Sequence, residues 1–274
     1  MYNKIAFLGP QGTFTHEVAS NIGENLVYQC SINAVIKFVE DNNAEIAVVP
    51  IENSIEGQVG LTLDLLVNTD LKIEKEFIIP ISQNLLANND ISIDNIKTVY
   101  SHSQAISQCQ NYIENHNFKT HFTLSTAAAA KEASNTKDKT IAAIGSKKAA
   151  ELYNLNILDE NIQDVKNNQT RFIALSKKRT EITGNDKTSI LFTLYDNNPG
   201  SLYETLGIFA SNNINLSKIE SRPSKEGLGN YIFFVDFEGH YKDEKILRIL
   251  KEIKEKVYFL KVLGSYPIAK IGKY

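Results

Sequence analysis

The stretch Ile46-Ala47-Val48-Val49-Pro50-Ile51-Glu52-Asn53-Ser54-Ile55-Glu56-Gly57-Gln58 decides the fold. Its first five residues are apolar and read as a short buried strand. The polar, glycine-containing run that follows ends that strand abruptly, before a second apolar run, Leu61 to Val67, that reads as a helix. A strand that stops in a polar turn sets side chains and backbone N–H groups at the carboxyl edge of a sheet, where α/β proteins bind ligands. Taken alone, the stretch supports two readings. It is a ligand loop, or it is an ordinary turn in which Asn53 and Ser54 cap the next helix.

Working outward, the same alternation recurs. Ile5 to Leu8 reads as a strand, Gly9-Pro10-Gln11-Gly12-Thr13-Phe14-Thr15 as a turn, and His16 to about Gly23 as a helix. Strand, glycine-rich turn and helix point free N–H groups at an anion. Val27 to Cys30 is expected as a strand and Ile32 to Asp41 as a helix, and together these elements form a parallel sheet. A second round opens with the strand Lys97 to Tyr100, which ends in Ser101-His102-Ser103-Gln104 and runs into a helix reaching about Asn115. Ser125 caps an alanine-rich helix, Ile141 to Ile144 is a strand, and Ser146 caps a helix through Tyr153. The extended segments Lys72 to Asn88 and Gln163 to Ser176 flank this round. Two such crossings make a hinge, with a cleft between two α/β lobes.

Periodicity is lost from Lys177 to Asp186, a linker. Beyond it come a strand at Ser189 to Leu194, a helix at Ser201 to Asn212, strands at Leu216 to Ser221 and Tyr231 to Phe237, an amphipathic helix at Asp243 to Glu255, and a strand at Leu260 to Tyr266. That βαββαβ order is the ferredoxin-like plan. The expected fold class is therefore α/β: a two-lobed Rossmann-like domain, of the periplasmic-binding-protein type, followed by a small ferredoxin-like domain.

Composition narrows the function. A chain of 274 residues accommodates two domains, and 42% hydrophobic with 22% charged residues is ordinary for a globular protein. The formal charge of −3 argues against nucleic acid as a partner. No apolar run approaches the roughly 18 residues that span a bilayer, and no signal-peptide pattern opens the chain, so a cytoplasmic protein without membrane association is expected. Cys30 and Cys109 are far apart and read as reduced thiols, and the five histidines lack metal-ligand spacing, so no metal is expected. Arginine is scarce. Arg171, Arg179, Arg222 and Arg248 are four of 29 basic residues, so some of them are expected where only a guanidinium fits.

Polar clusters fall at strand ends: Gly9 to Thr15, Asn53 to Gly57, Ser101 to Gln104, and Thr170-Arg171-Phe172 at the start of an apolar strand. None contains a nucleophile-and-base pair. They offer hydroxyls, amides, one guanidinium and helix-start N–H groups, which suits binding and polarising a small anion. Arg171 reads either as a structural ion pair or as a substrate clamp.

Through Gly9-Pro10-Gln11-Gly12-Thr13-Phe14, Val49-Pro50-Ile51-Glu52-Asn53-Ser54-Ile55-Glu56-Gly57 and Asn168-Gln169-Thr170-Arg171-Phe172, the chain resembles the monofunctional prephenate dehydratase family over nearly its whole length. Its last domain resembles an ACT regulatory module, with Asn198-Pro199-Gly200-Ser201-Leu202 and Ile219-Glu220-Ser221-Arg222-Pro223 at the two effector motifs. Ser103 and Ala128 depart from the family, which usually has proline and glutamate there. The resemblance implies a catalytic domain at 1–180 (lobe one about 1–76 plus 166–180, lobe two about 77–165) and an ACT domain at 187–267. It implies a carbon–oxygen lyase that converts prephenate to phenylpyruvate with loss of water and carbon dioxide, on the route to phenylalanine. No cofactor is required.

Within that resemblance, Thr170 is expected to donate a hydrogen bond or proton to the departing hydroxyl, and Asn53, Ser101 and Gln108 complete the catalytic set. Thr13, Ser54, Arg171 and Phe172 are expected to bind substrate, Asn53 and Ser54 by donating to it, while Glu52 holds the loop. The ACT resemblance implies L-phenylalanine as effector, held by Pro199, Gly200, Ser201, Leu202, Asn215, Leu216, Glu220, Ser221, Arg222 and Pro223 at an interface of a homodimer or homotetramer. Arogenate dehydratase and a non-catalytic two-lobed small-acid sensor are the competing readings.

Overall fold

Short apolar runs alternating with capped helices build three sheets in this chain, whose computed structural model describes residues 2–195, 198–224 and 230–273. Lobe one begins with Ile5–Leu8 (β1), Phe14–Ile22 (α1), Leu26–Gln29 (β2), Ile32–Glu40 (α2), Ile46–Asn53 (β3), Gly57–Gln58 (β4) and Gly60–Asn68 (α3). Lys72–Pro80 (β5) leads out of it. Lobe two contains Asn84–Ala87 (β6), Thr98–Ser101 (β7), Ser103–Gln108 (α4), Gln110–Asn115 (α5), Lys119–Phe122 (β8), Thr126–Asn135 (α6), Ile141–Gly145 (β9), Lys147–Tyr153 (α7) and Asn156–Asp159 (β10). Gln169–Ser176 (β11) returns to lobe one, in a sheet of order β2-β1-β3-β11-β5 with β4 paired to β3.

The lobe-one strands β2, β1 and β3 are parallel, as the alternation of elements requires. Lobe two has the order β10-β6-β9-β7-β8, in which β7, β8 and β9 run parallel while β6 and β10 join antiparallel. This sheet is mixed because β6 enters from the crossing and not from a helix. The short strands β8 and β10 have no long apolar run, and the sequence reading passed over them. Helix starts follow the expected chemistry: the hydroxyls of Thr13, Ser31, Ser125 and Ser146 accept the N–H three residues on. Ser125 bonds the Ala128 N–H at 3.0 Å, so this helix is capped without the glutamate common in the family. The single helix expected from Gln104 to Asn115 is instead α4 and α5, which part at Cys109.

The last sheet comprises Asp186–Thr193 (β12), Leu216–Pro223 (β13), Tyr231–Glu238 (β14) and Phe259–Pro267 (β15), with Ser201–Ser211 (α8) and Glu244–Lys256 (α9). Its order, β13-β14-β12-β15, is antiparallel throughout and ferredoxin-like. In α9 the buried Ile246, Ile249, Leu250 and Ile253 recur at helical spacing. Each such residue contributes about 1.5–3 kcal/mol by leaving water.

By packing, the chain forms two compact units: Met1–Thr62 with Phe77–Phe172 and Ile271–Tyr274, and Leu63–Glu76 with Ile173–Lys270. The lobe-two core, around Val99, Ile106 and Ile144, lies in the first unit, and the ferredoxin-like core lies in the second.

Candidate active site

The strand that opens the site runs further than its apolar run suggests. β3 continues through Ile51 and Glu52 to Asn53, then turns through a hairpin that pairs Asn53 with Gly57. Gly57 takes φ +80°, a conformation that suits glycine. The turn is held by Asn53: its Oδ1 accepts the N–H groups of Ile55 (2.9 Å) and Glu56 (3.0 Å).

The other end of the Asn53 amide organises the site. Its Nδ2 donates to Thr170 Oγ1 at 2.8 Å and to Asn168 Oδ1 at 2.8 Å, and lies 3.2 Å from the Gln169 carbonyl. Asn53 and Thr170 are each only 9% exposed, so these bonds form away from bulk water. Asn53 is thus saturated, with two amide hydrogens facing three acceptors. It has no hydrogen left for a ligand, which replaces its expected part as a direct donor to substrate. Thr170 is in the opposite condition. Its oxygen accepts from Asn53, and among the described residues that is its one side-chain partner, so its own proton is free to be donated.

Asn168, 1% exposed, links this cluster to lobe two. Its Nδ2 donates to Gln108 Oε1 at 3.3 Å, and Gln83 Nε2 lies 3.5 Å from the same oxygen. The crossings are tied together at the same place, by Ile81 N–H to the Asn168 carbonyl (2.8 Å), Ile162 N–H to the Gln83 carbonyl (2.9 Å) and Asp164 N–H to the Gln108 carbonyl (2.7 Å). Gln83 is 3% exposed and its Oε1 has no partner, so an acceptor stands open beside the cluster. Gln108 is thus linked to Thr170 through Asn168 and Asn53, while Gln104 is exposed on α4. Sequence reasoning assigned no part to Asn168 or Gln83. Asn168 stood within the quoted motif, and the polar break Ser82-Gln83-Asn84 in an apolar extended segment was the available signal for Gln83.

Strand geometry divides Thr170-Arg171-Phe172. Neighbours on a strand face opposite sides of the sheet. Thr170 meets Asn53, and the next residues along, Arg171 and Glu52, meet on the other side, Nη1 to Oε2 at 3.7 Å. Arg171 is 8% exposed, and Glu52 also accepts from Gln58 Nε2 at 3.0 Å. Of the two readings left open for Arg171, the geometry matches the ion pair that steadies the hairpin, away from the Thr170 face. Phe172 is 2% exposed and belongs to the core, so it is not available as a substrate contact. Ser54 is exposed; its hydroxyl accepts the Gln169 N–H at 2.9 Å and reaches Asn168 Oδ1 at 3.5 Å.

The glycine-rich turn at Gly9 to Thr15 does not stand as an open cradle. Thr13 caps α1 and donates to the Pro10 carbonyl at 2.9 Å, while the Gly12 N–H donates to His16 Nδ1 at 3.0 Å. His16 stacks on Phe7, and burial, followed by the charge of Lys148, holds its pKa below the usual imidazole range. The Gly12 carbonyl accepts from Ser146 Oγ of lobe two at 2.8 Å. Ser101 is fully buried and donates to the Ile144 carbonyl at 2.7 Å, stitching the lobe-two strands.

In the second unit, Gly200 takes φ +94° ahead of α8, so Pro199 to Leu202 form its start. Asn215 Nδ2 bonds Glu238 Oε1 at 3.0 Å, and Leu216 opens β13, an edge strand that carries Glu220 to Pro223. Arg222 Nε pairs with Asp64 Oδ1 at 2.9 Å. Among the described residues no group of three or more His, Cys, Asp or Glu is arranged to hold a metal, and no helix is long and apolar enough to cross a membrane.

Comparison with known proteins joins these observations. The family described as prephenate dehydratase matches residues 5–180, and the ACT domain matches residues 188–255. A prephenate dehydratase of Methanocaldococcus jannaschii is 45% identical, over 98% of this chain and 99% of its own. The crystal structure of a prephenate dehydratase in complex with L-Phe from Arthrobacter aurescens superposes with TM-score 0.87 at 35% identity, covering 97% of this chain and 90% of that one. A structure described as GqqA, a quorum quenching acylase, superposes with TM-score 0.88 at 28% identity, covering 97% of this chain and 98% of that one. This chain belongs to the prephenate dehydratase family and carries the family's C-terminal ACT domain.

Proposed function

We propose that the Asn53–Asn168–Thr170 cluster is where this chain converts prephenate to phenylpyruvate, water and carbon dioxide. In that reaction the bond between the ring and its carboxylate breaks, its electron pair enters the ring as carbon dioxide leaves, and the ring hydroxyl departs, hydrogen-bonded by Thr170, as hydroxide that takes a proton from solvent and becomes water. Aromatisation supplies driving force, so the protein has to hold the substrate in one pose and assist the hydroxyl. Thr170 does the second task. The observation that carries this reading is the 2.8 Å bond from Asn53 to Thr170 Oγ1, which fixes the oxygen and leaves its proton to donate.

Asn53 and Asn168 act as positioning residues, and Gln108 and Gln83 offer amide contacts from lobe two. Ser54 stands exposed at the rim, where its hydroxyl reaches substrate. Arg171 and Glu52 steady the hairpin, Phe172 and Ser101 the strands beneath, and Thr13 the start of α1. We assign residues 1–180 to the catalytic domain and 187–267 to the ACT domain, with L-phenylalanine bound by the Pro199–Leu202 turn and the Glu220–Pro223 edge of β13 across an interface between two copies of the chain. The reaction needs no cofactor, and we place the enzyme in the cytoplasm.

An acylase reading asks for a nucleophile beside a base. Among the described residues Thr170 has an amide as its side-chain partner, which favours the lyase. The test is ultraviolet detection of phenylpyruvate from prephenate, with arogenate in parallel and L-phenylalanine added. Turnover of prephenate, slowed by phenylalanine, is the expected result; turnover of arogenate alone, or of neither, contradicts it.

A further inference from the structure

The second unit holds a cavity of about 360 Å³, the size of a small-ligand site, which the family's reaction does not use. Its position follows from a close approach. A side chain at Gly264 of β15 would drive its Cβ into the Ile73 backbone of β5, so only glycine lets the two backbones meet there. Beside that contact, Lys72, Lys178, Arg179 and Lys261 converge on the cavity, and no carboxylate lines it among the described residues.

Two of these cations are anchored. Lys72 Nζ donates to the Val262 carbonyl at 2.9 Å, and Lys261 Nζ donates to the carbonyls of Leu66, Val67 and Thr69 at 3.1, 2.8 and 2.7 Å. Lys178 and Arg179 are exposed at the rim. Burial, and then the positive charge of Arg179, hold the Lys72 ammonium below the usual lysine range. Like charges gathered in a partly buried wall favour an anion between them. Tyr241 also lines the cavity, and its Oη is buried without a hydrogen-bond partner, on a ring stacked against His240 at 4.7 Å. A buried phenol with nothing to bond is costly unless a ligand supplies the partner. Ile73, Leu260 and Val262 give the cavity an apolar stretch, beside Thr180 and Ser265.

We propose that this cavity is a second ligand site, which binds a small carboxylate with an apolar body: the carboxylate at Arg179 and Lys72, the apolar body on Ile73, Leu260 and Val262, and the Tyr241 hydroxyl on a carboxylate oxygen. It uses none of the residues assigned to phenylalanine.

The test is calorimetric titration of the full chain with phenylacetate in saturating L-phenylalanine, which keeps the ACT turn occupied. One phenylacetate per chain is expected, with the neutral phenylacetamide at least about tenfold weaker. Arg179→Gln should weaken phenylacetate about tenfold and Tyr241→Phe about two- to tenfold. Arg179 is exposed, so Arg179→Gln should keep the parent melting temperature, and Tyr241→Phe, which removes a buried hydroxyl with no protein partner, should keep or raise it. Absence of binding at millimolar phenylacetate, equal binding by both variants, or displacement of phenylacetate by phenylalanine would overturn the proposal.

Discussion

The Asn53–Thr170 cluster and the cavity beside Gly264 are both polar, and they are built in opposite ways. The first is neutral and almost closed on itself: amides and hydroxyls meet at 2.8 Å, and one hydroxyl proton is left over. The second is charged, with four cations, two of them anchored on backbone carbonyls, and a buried phenol that has no partner. A saturated neutral network fixes one group in one orientation and pulls weakly on a distant ligand. A partly buried cationic wall does the reverse, drawing an anion without setting its pose closely. The contrast suits chemistry at the first place and binding at the second.

Breaking the first network should have the largest effect. Thr170→Ala should lower kcat by about 10²–10⁴ with little change in KM, whereas Thr170→Ser should restore most of the rate. Steady-state assay of phenylpyruvate formation checks this, and activity within threefold of the parent would remove Thr170 from the mechanism.

Asn53→Ala should cost less, about 10–10² in kcat, because it leaves the Thr170 hydroxyl present but unaligned. The same change frees the Ile55 and Glu56 N–H groups and should lower stability by about 1 kcal/mol in urea denaturation. A purely structural role would show the stability loss alone.

A smaller effect sharpens the contrast from the glycine-rich turn. Folding holds the His16 pKa below its unfolded value, so the unfolded chain takes up more protons as pH falls from about 6.5. Stability should therefore be full above that pH and decline below it, levelling off once the folded form also protonates. The melting temperature should drop between pH 7 and 5.5, and drop less in His16→Gln. His240, also held low chiefly by burial, keeps part of the slope. An equal drop in parent and variant would mean that His16 plays no part.

The smallest effect concerns the thiols. Cys30 is exposed, while Cys109 is buried, with a pKa pushed up to about 12 by burial and then by Asp164. A maleimide should label Cys30 in the native protein and Cys109 only after denaturation, read by mass spectrometry. Native labelling at Cys109 would contradict the closed lobe-two core.

Much of this architecture was legible in the sequence, for a physical reason. β1, α2, α9 and the capped helices α6 and α7 are local objects, each specified by its own apolar period and its own cap. β8 and β10 are not: they are short, largely exposed strands that exist because a neighbour supplies hydrogen bonds. The site divides the same way. Asn53, Thr170 and Gln108 could be named from motifs, but the faces that Asn53 and Thr170 occupy follow from the pairing of β3 with β11. Strand alternation along β11 sets Arg171 opposite Thr170, and Phe172 packs in the core, while Ser101 on β7 serves the lobe-two sheet. Asn168 and Gln83 gain their places from the two crossings, which meet only in the folded chain.

The central claim, that Asn53 acts through the Thr170 hydroxyl, is tested most directly by the kcat of Thr170→Ala, Asn53→Ala and the double variant on prephenate. If Asn53 only aligns that hydroxyl, the double variant should be no slower than Thr170→Ala, because there is nothing left to align. Losses that multiply would show that Asn53 and Thr170 act independently and would contradict the account.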